Sequence, residues 1–274
     1  MSRRPPLLTR ELQLGLVAAR GRGDARVEVS LDLGRTVEPV SPGADRWLRD
    51  GIAYPYVEDP RERTVYHWAG TAFEPVARWT GTLVKLVSTE WGAPTFEIDG
   101  VKMLPTAAES PFEDARRKVD LVGVRGRRVL DTCGGLGYYA SWCLARDAGH
   151  VLSFEKSADV RWLRELNPWS PGPDPRLELR AGDVAAEIGG LPPAAYEVVL
   201  HDPPRFALAG ELYSSVFYGE LARVLRRGGR LFHYTGAPNS RSRGRDLAAE
   251  VAARLRQAGF DARPELDGVL ATRR

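Results

Sequence analysis

The sequence has no run that approaches the roughly 18 to 20 uninterrupted apolar residues of a membrane-spanning helix. Its first eight residues, Met1 to Leu8 (MSRRPPLL), lack an apolar core of signal-peptide length. A soluble, cytoplasmic protein with no membrane partner is expected. Cysteine is scarce: Cys133 and Cys143 cannot build a disulfide framework in 274 residues, and no paired His/Cys spacing completes a zinc site. No metal is expected. Lysine is almost missing, with 4 against 35 arginines, which coding bias explains without a function. What is present, 43% hydrophobic and 27% charged residues, is an ordinary globular composition that excludes disorder and fibrous repeats.

The formal charge of +3 is unevenly spread. Residues 1–115 hold 14 Lys+Arg against 17 Asp+Glu, and the remainder 25 against 19. Up to about residue 105 the pattern is one of short strands and turns: 26–33, 51–57, 64–68, 72–79, 82–89 and 95–103, the last bent at Asp99-Gly100, a hairpin dipeptide. Residues 1–108 therefore read as a small β-rich domain. Trp47, Trp68, Trp79 and Trp91 lie in it and are expected to fill its core.

From Ser110 the period changes. Residues 111–122 have a serine cap, acids in the first turn and apolar positions at helical spacing. Strands at 127–132, 150–156, 177–183, 196–202, 229–235, 260–266 and 268–273 then alternate with helices at 138–146, 158–166, 211–225 and 245–258. Residues 109–274 read as a doubly wound, Rossmann-like seven-stranded α/β sheet. The connection at Asp267 is too short for a parallel crossover, so the last strand must be antiparallel, in a hairpin at the sheet's edge.

The first of these strands ends in Asp131-Thr-Cys-Gly-Gly-Leu-Gly137 and leads into a helix, a corner where glycines let a ligand approach the backbone. Gly135-Leu-Gly137-Tyr-Tyr-Ala140 also fits the dinucleotide fingerprint, with Glu155 twenty residues beyond Gly135, so a nicotinamide or flavin oxidoreductase is one alternative. Asp131 speaks against it, because a carboxylate there repels a pyrophosphate and favours an ammonium group. Asp183, after the third strand, is placed to accept from an exocyclic amine, and Asp202-Pro203-Pro204 ends the fourth. Four acids, Asp131, Glu155, Asp183 and Asp202, thus end four consecutive strands, at the sheet edge where ligands bind. Helix capping accounts for one or two of them but hardly for all four.

Over residues 111–274 this pattern resembles the class I S-adenosylmethionine-dependent methyltransferases. More narrowly, DTCGGLGYYA (131–140), LNPWS (166–170), HDPPRF (201–206), GELYS (210–214) and LFHYTG (231–236), with PTFEIDGVKM (94–103), look like an archaeal-type family of predicted methyltransferases. The resemblance implies that S-adenosylmethionine is the cofactor. Gly135 and Gly137 would pack against its methionine part, Asp131 would hold the ammonium group directly or through water, Glu155 the ribose hydroxyls and Asp183 the adenine amine. Cys133 departs from the family's pattern, standing where the first glycine of the turn is often found, and is placed to line the cofactor pocket.

The resemblance also makes Asp202, Pro203, Pro204 and Phe206 the catalytic loop. In methyltransferases of base amines an acid and a proline carbonyl accept from the amine while an aromatic residue stacks on the base; here Arg205 intervenes and Phe206 comes one place late. Arg205 and Tyr213 are candidate substrate contacts, and His201 is a second-rank catalytic candidate. Arg241 and Arg243, with Arg226, Arg227, Arg230 and Arg245, form a basic cluster that reads either as a solvated loop or as a phosphate track for RNA. The reading is methyl transfer to a nitrogen of an RNA base. The alternatives are a small-molecule or protein acceptor, and an aminopropyltransferase, although no run of adjacent acids follows the fourth strand to hold a polyamine. The sequence leaves the acceptor and the oligomeric state open.

Overall fold

The computed structural model describes residues 4–205, 209–236 and 246–274. Phe206, Arg241, Arg243 and Arg245 lie outside the described residues. The chain divides into two compact units, one of Met1–Asp114 with Trp162–Trp169, the other of Ala115–Arg161 with Ser170–Arg274. The sequence pattern places the division at 108 and assigns 162–169 to the second part.

The first unit holds β1 (Leu7–Leu8), α1 (Arg10–Arg22), β2 (Val27–Val29), β3 (Glu38–Pro42), β4 (Arg46–Arg49), β5 (Ile52–Pro55), β6 (Tyr66–Trp68), β7 (Phe73–Pro75), β8 (Ala77–Trp79), β9 (Leu83–Val87), β10 (Thr95–Ile98) and β11 (Val101–Lys102). These strands make three small sheets, ordered β1-β6-β7, β2-β3-β4-β5 and β11-β10-β9-β8. Asp99 (φ 48°) and Gly100 (φ 76°) turn β10 into β11 with Ile98 opposite Val101, as the dipeptide predicts. Helix α1 is absent from the sequence reading. The Thr9 hydroxyl caps it by accepting from the Leu12 N–H, and Gly23 closes it at φ 76°. The tryptophan expectation is corrected. Trp47 is buried among Leu8, Leu16, Val40 and Tyr54, and Trp68 flanks this core, but Trp79 and Trp91 are exposed.

In the second unit, α2 (Pro111–Val122), which starts in the first unit, leads to β12 (Arg128–Asp131), α3 (Tyr138–Ala145), β13 (His150–Glu155), α4 (Ala158–Leu166), β14 (Leu177–Ala181), α5 (Val184–Glu187), β15 (Tyr196–His201), α6 (Ser215–Val224), β16 (Leu225–Tyr234), α7 (Leu247–Gln257), β17 (Phe260–Glu265) and β18 (Gly268–Arg273). The sheet order is β14-β13-β12-β15-β16-β18-β17. The five strands from β14 to β16 are parallel; β18 is antiparallel to both β16 and β17, so the reversed strand is inserted inside the edge strand β17. The central strands bury Val129, Leu130, Val151, Leu152, Val198, Val199 and Leu200, the apolar runs of a sheet covered on both faces. Each large side chain so buried is worth about 1.5 to 3 kcal/mol. Edge strand β17 carries Asp261, Arg263 and Pro264, which block further pairing.

Candidate active site

Parallel pairing brings the carboxyl ends of β12, β13, β14 and β15 to one edge, and the four acids with them. At the end of β12 the chain turns through Gly135 (φ 49°) and Gly137 (φ 82°), the latter at the start of α3. Side chains are strained at such angles and glycine is not. The turn is tied down through its backbone. The Gly134 N–H donates to the Phe154 carbonyl (2.7 Å) and the Gly137 N–H to the Gly134 carbonyl (2.7 Å). Glu155, half-buried at the end of β13, accepts from the Gly135 N–H at Oε2 (3.0 Å) and from the Ser157 N–H at Oε1 (2.8 Å). A carboxylate has about four acceptor positions, so these bonds leave room for ligand hydroxyls.

Asp131 is fully buried, and its Oδ2 accepts from the Ser153 hydroxyl (2.7 Å). Ser153 was not singled out in the sequence; the only signal is a polar residue in the apolar run of β13. Asp183 is partly buried, caps α5 by accepting from the Ala185 N–H (2.9 Å), and lies 3.5 Å from Lys156 Nζ. Cys133 is half-buried between the acids: burial raises its thiol well above the ordinary value, with Glu155, Asp131 and Asp202 adding to the rise. That thiol stays protonated. Cys143 is buried in α3 and raised by burial as well.

On the β15 side, Asp202 and Pro204 are partly buried, Pro203 is buried and Arg205 is exposed. The Pro204 carbonyl accepts from the Tyr213 hydroxyl (3.1 Å), and Tyr213 is itself buried. Its pKa is raised by burial first and by the Asp202 charge second, so the phenol remains a donor. Tyr213 thus meets the Pro204 backbone, where a substrate contact was expected. His201, the second-rank catalytic candidate, ends β15 at the sheet's edge, and its ring is fully buried. Its Nε2 faces the Leu212 carbonyl (3.1 Å) and must carry the proton, so Nδ1 accepts from the Thr132 hydroxyl (2.6 Å). Next to it, His233 Nδ1 donates to the Tyr234 carbonyl (2.8 Å) and Nε2 accepts from Tyr218 (2.9 Å). The two rings meet edge to face at 4.5 Å. Burial holds both neutral, His201 well below its ordinary value, helped by His233, and His233 down to about 4.

Of the expected arginine cluster, Arg226, Arg227 and Arg230 lie on β16, with Arg226 paired to Glu197; Arg241, Arg243 and Arg245 lie outside the described residues. A cleft of about 380 Å³ lined by Gly123, Arg125, Arg127 and Arg146 also sits at the start of β12, away from the acids. Its charges are already paired, Arg125 with Asp147 and Arg146 with Asp120. Among the described residues no group of His, Cys, Asp and Glu is arranged to hold a metal, and no helix is long and apolar enough to cross a membrane.

No family model matches the chain. Over 169 residues it is 45% identical to an uncharacterised protein of Methanocaldococcus jannaschii, a match covering 61% of this chain and 58% of that one. Over 102 residues it is 37% identical to polyamine aminopropyltransferase 2 of Streptomyces coelicolor, covering 36% of this chain and 18% of that one. The chain therefore spans less than two thirds of either relative. Among solved structures, the spermidine synthase of Thermotoga maritima superposes with a TM-score of 0.55 at 15% identity, over 72% of each chain. The fold is the Rossmann-like class I fold. Methyltransferases and spermidine synthases share it, and at this identity the likeness concerns the fold alone.

Proposed function

We propose that the protein transfers a methyl group from S-adenosylmethionine to a nitrogen of an RNA base. The observation that carries the donor half is the clasp of Glu155 on the glycine turn: a half-buried strand-end carboxylate, fixed by two backbone N–H groups beside Gly135 and Gly137. These residues fit the donor. Glu155 would accept from the ribose hydroxyls, Asp183 from the adenine amine, and buried Asp131 would act on the ammonium group through water. When bound, S-adenosylmethionine supplies a methyl group already activated on a sulfonium centre.

The chain's task is then alignment. Asp202 and the Pro204 carbonyl are two acceptors on one loop, suited to the hydrogens of an amine, and Tyr213 fixes the direction of that carbonyl. Exposed Arg205 would meet a phosphate of the acceptor. Neutral, enclosed His201 holds the loop's root and carries no proton to substrate. The basic balance of residues 116–274 supports an RNA acceptor. The HDPPRF motif belongs to the same reading.

Aminopropyl transfer is the second reading, favoured by the Streptomyces relative and the spermidine synthase fold. The nucleoside product separates the two. Protein incubated with cellular RNA or a small-molecule extract, and with S-adenosylmethionine or its decarboxylated form, should release S-adenosylhomocysteine and methylate the RNA fraction. Methylthioadenosine from the decarboxylated donor alone would establish the second reading and remove the first.

A further inference from the structure

The LNPWS segment, Leu166–Ser170, has no part in the chemistry above, yet it meets the glycine turn. Ser170 is buried, and its hydroxyl donates to the Leu136 carbonyl (2.8 Å), 34 residues away in sequence. Leu136 stands between Gly135 and Gly137, so this bond, with the Gly137 N–H on the Gly134 carbonyl, holds the Leu136–Gly137 peptide of the turn. A turn made of glycines cannot hold its own shape through side chains. Its partners must hold it.

We propose that Ser170 is a positioning residue for the cofactor turn, acting through the Leu136 carbonyl. The inference rests on the glycine turn being the S-adenosylmethionine site. Calorimetry with S-adenosylhomocysteine on the full chain tests it. Ser170→Ala should weaken binding by about twofold to tenfold, the worth of one hydrogen bond, and Ser170→Thr, which keeps the hydroxyl, should restore it. Unchanged affinity in Ser170→Ala, or a Thr variant as weak as Ala, would overturn the inference while leaving the donor reading standing. Wild-type protein that takes up no S-adenosylhomocysteine would overturn both.

Discussion

Around the glycine turn, backbone N–H groups do the holding: Gly135 and Ser157 both donate to Glu155, and Gly134 donates to Phe154. Around the Asp202 loop, buried aromatic side chains do it, with Tyr213 on the Pro204 carbonyl, His201 on the Leu212 carbonyl, and Tyr218 behind His233. The glycine-turn side, proposed for the donor, is thus held mainly within a strand, a turn and the neighbouring strand end, with the Ser170 hydroxyl on the Leu136 carbonyl as the one longer-range support described above. The acceptor side depends on a packed interior reaching into α6 and β16. The difference means that acid and core substitutions should disturb the proposed acceptor side, whereas the proposed donor side should respond chiefly to its own carboxylates and to Ser170.

The largest expected effect comes from acid. Both histidines have folded values below the unfolded 6.5, so below that pH the unfolded chain binds protons that the fold refuses, and stability falls as pH drops from about 6.5 towards 4. For His233 alone, 6.5 against about 4 amounts to on the order of 3 kcal/mol at 1.36 kcal/mol per unit. Calorimetric unfolding across this range should show the loss, and His233→Gln should flatten it. An equally steep profile in that variant would mean that His233 does not govern it.

Glu155→Ala comes next. It removes a charge-assisted acceptor worth about 1.5 to 3 kcal/mol, so affinity for S-adenosylhomocysteine should fall by roughly tenfold to a hundredfold. A fall of less than threefold would detach Glu155 from the donor. Tyr213→Phe sharpens the contrast further. Donor affinity should stay within twofold while single-turnover transfer slows by about tenfold, because only the Pro204 carbonyl is released. If affinity and transfer fall together, the two halves are one unit. Asp183→Asn is the smallest: asparagine caps α5 as well as aspartate does, so the thermal midpoint should hold while donor affinity drops by about threefold or less. A large drop in the midpoint instead would reduce Asp183 to a cap.

The glycine turn and the strand-end acids were legible in the sequence because their signals are local. Asp131, Gly135, Gly137 and Glu155 lie within one β-turn-α-β stretch, and the sheet's order of elements follows from alternating apolar runs and helical spacing. The antiparallel end followed from the short connection at Asp267, which in the structure is the two residues Leu266 and Asp267. The supports of the acceptor loop were less visible. Nothing in HDPPRF says that His201 faces inward; that is decided by Thr132 and Leu212, 69 and 11 residues away. In the first unit, strands of two to five residues gave weak alternation, so β1, β3 and β4 went unread, as did helix α1, and exposed Trp79 and Trp91 look no different in sequence from buried Trp47. Ser153 and Ser170 were hidden for a related reason: a lone serine signals nothing until its partner carbonyl or carboxylate is in place.

The central claim is that the strand-end acids and the glycine turn form a site for a sulfonium nucleoside. Titration calorimetry of the wild-type protein with S-adenosylmethionine, S-adenosylhomocysteine and NAD tests it most directly. The two sulfur nucleosides should bind one per chain, and at about 100 times the dissociation constant either should stabilise the fold by roughly 2.7 kcal/mol, with NAD doing neither. Binding of NAD with no response to S-adenosylmethionine or its product would contradict the account.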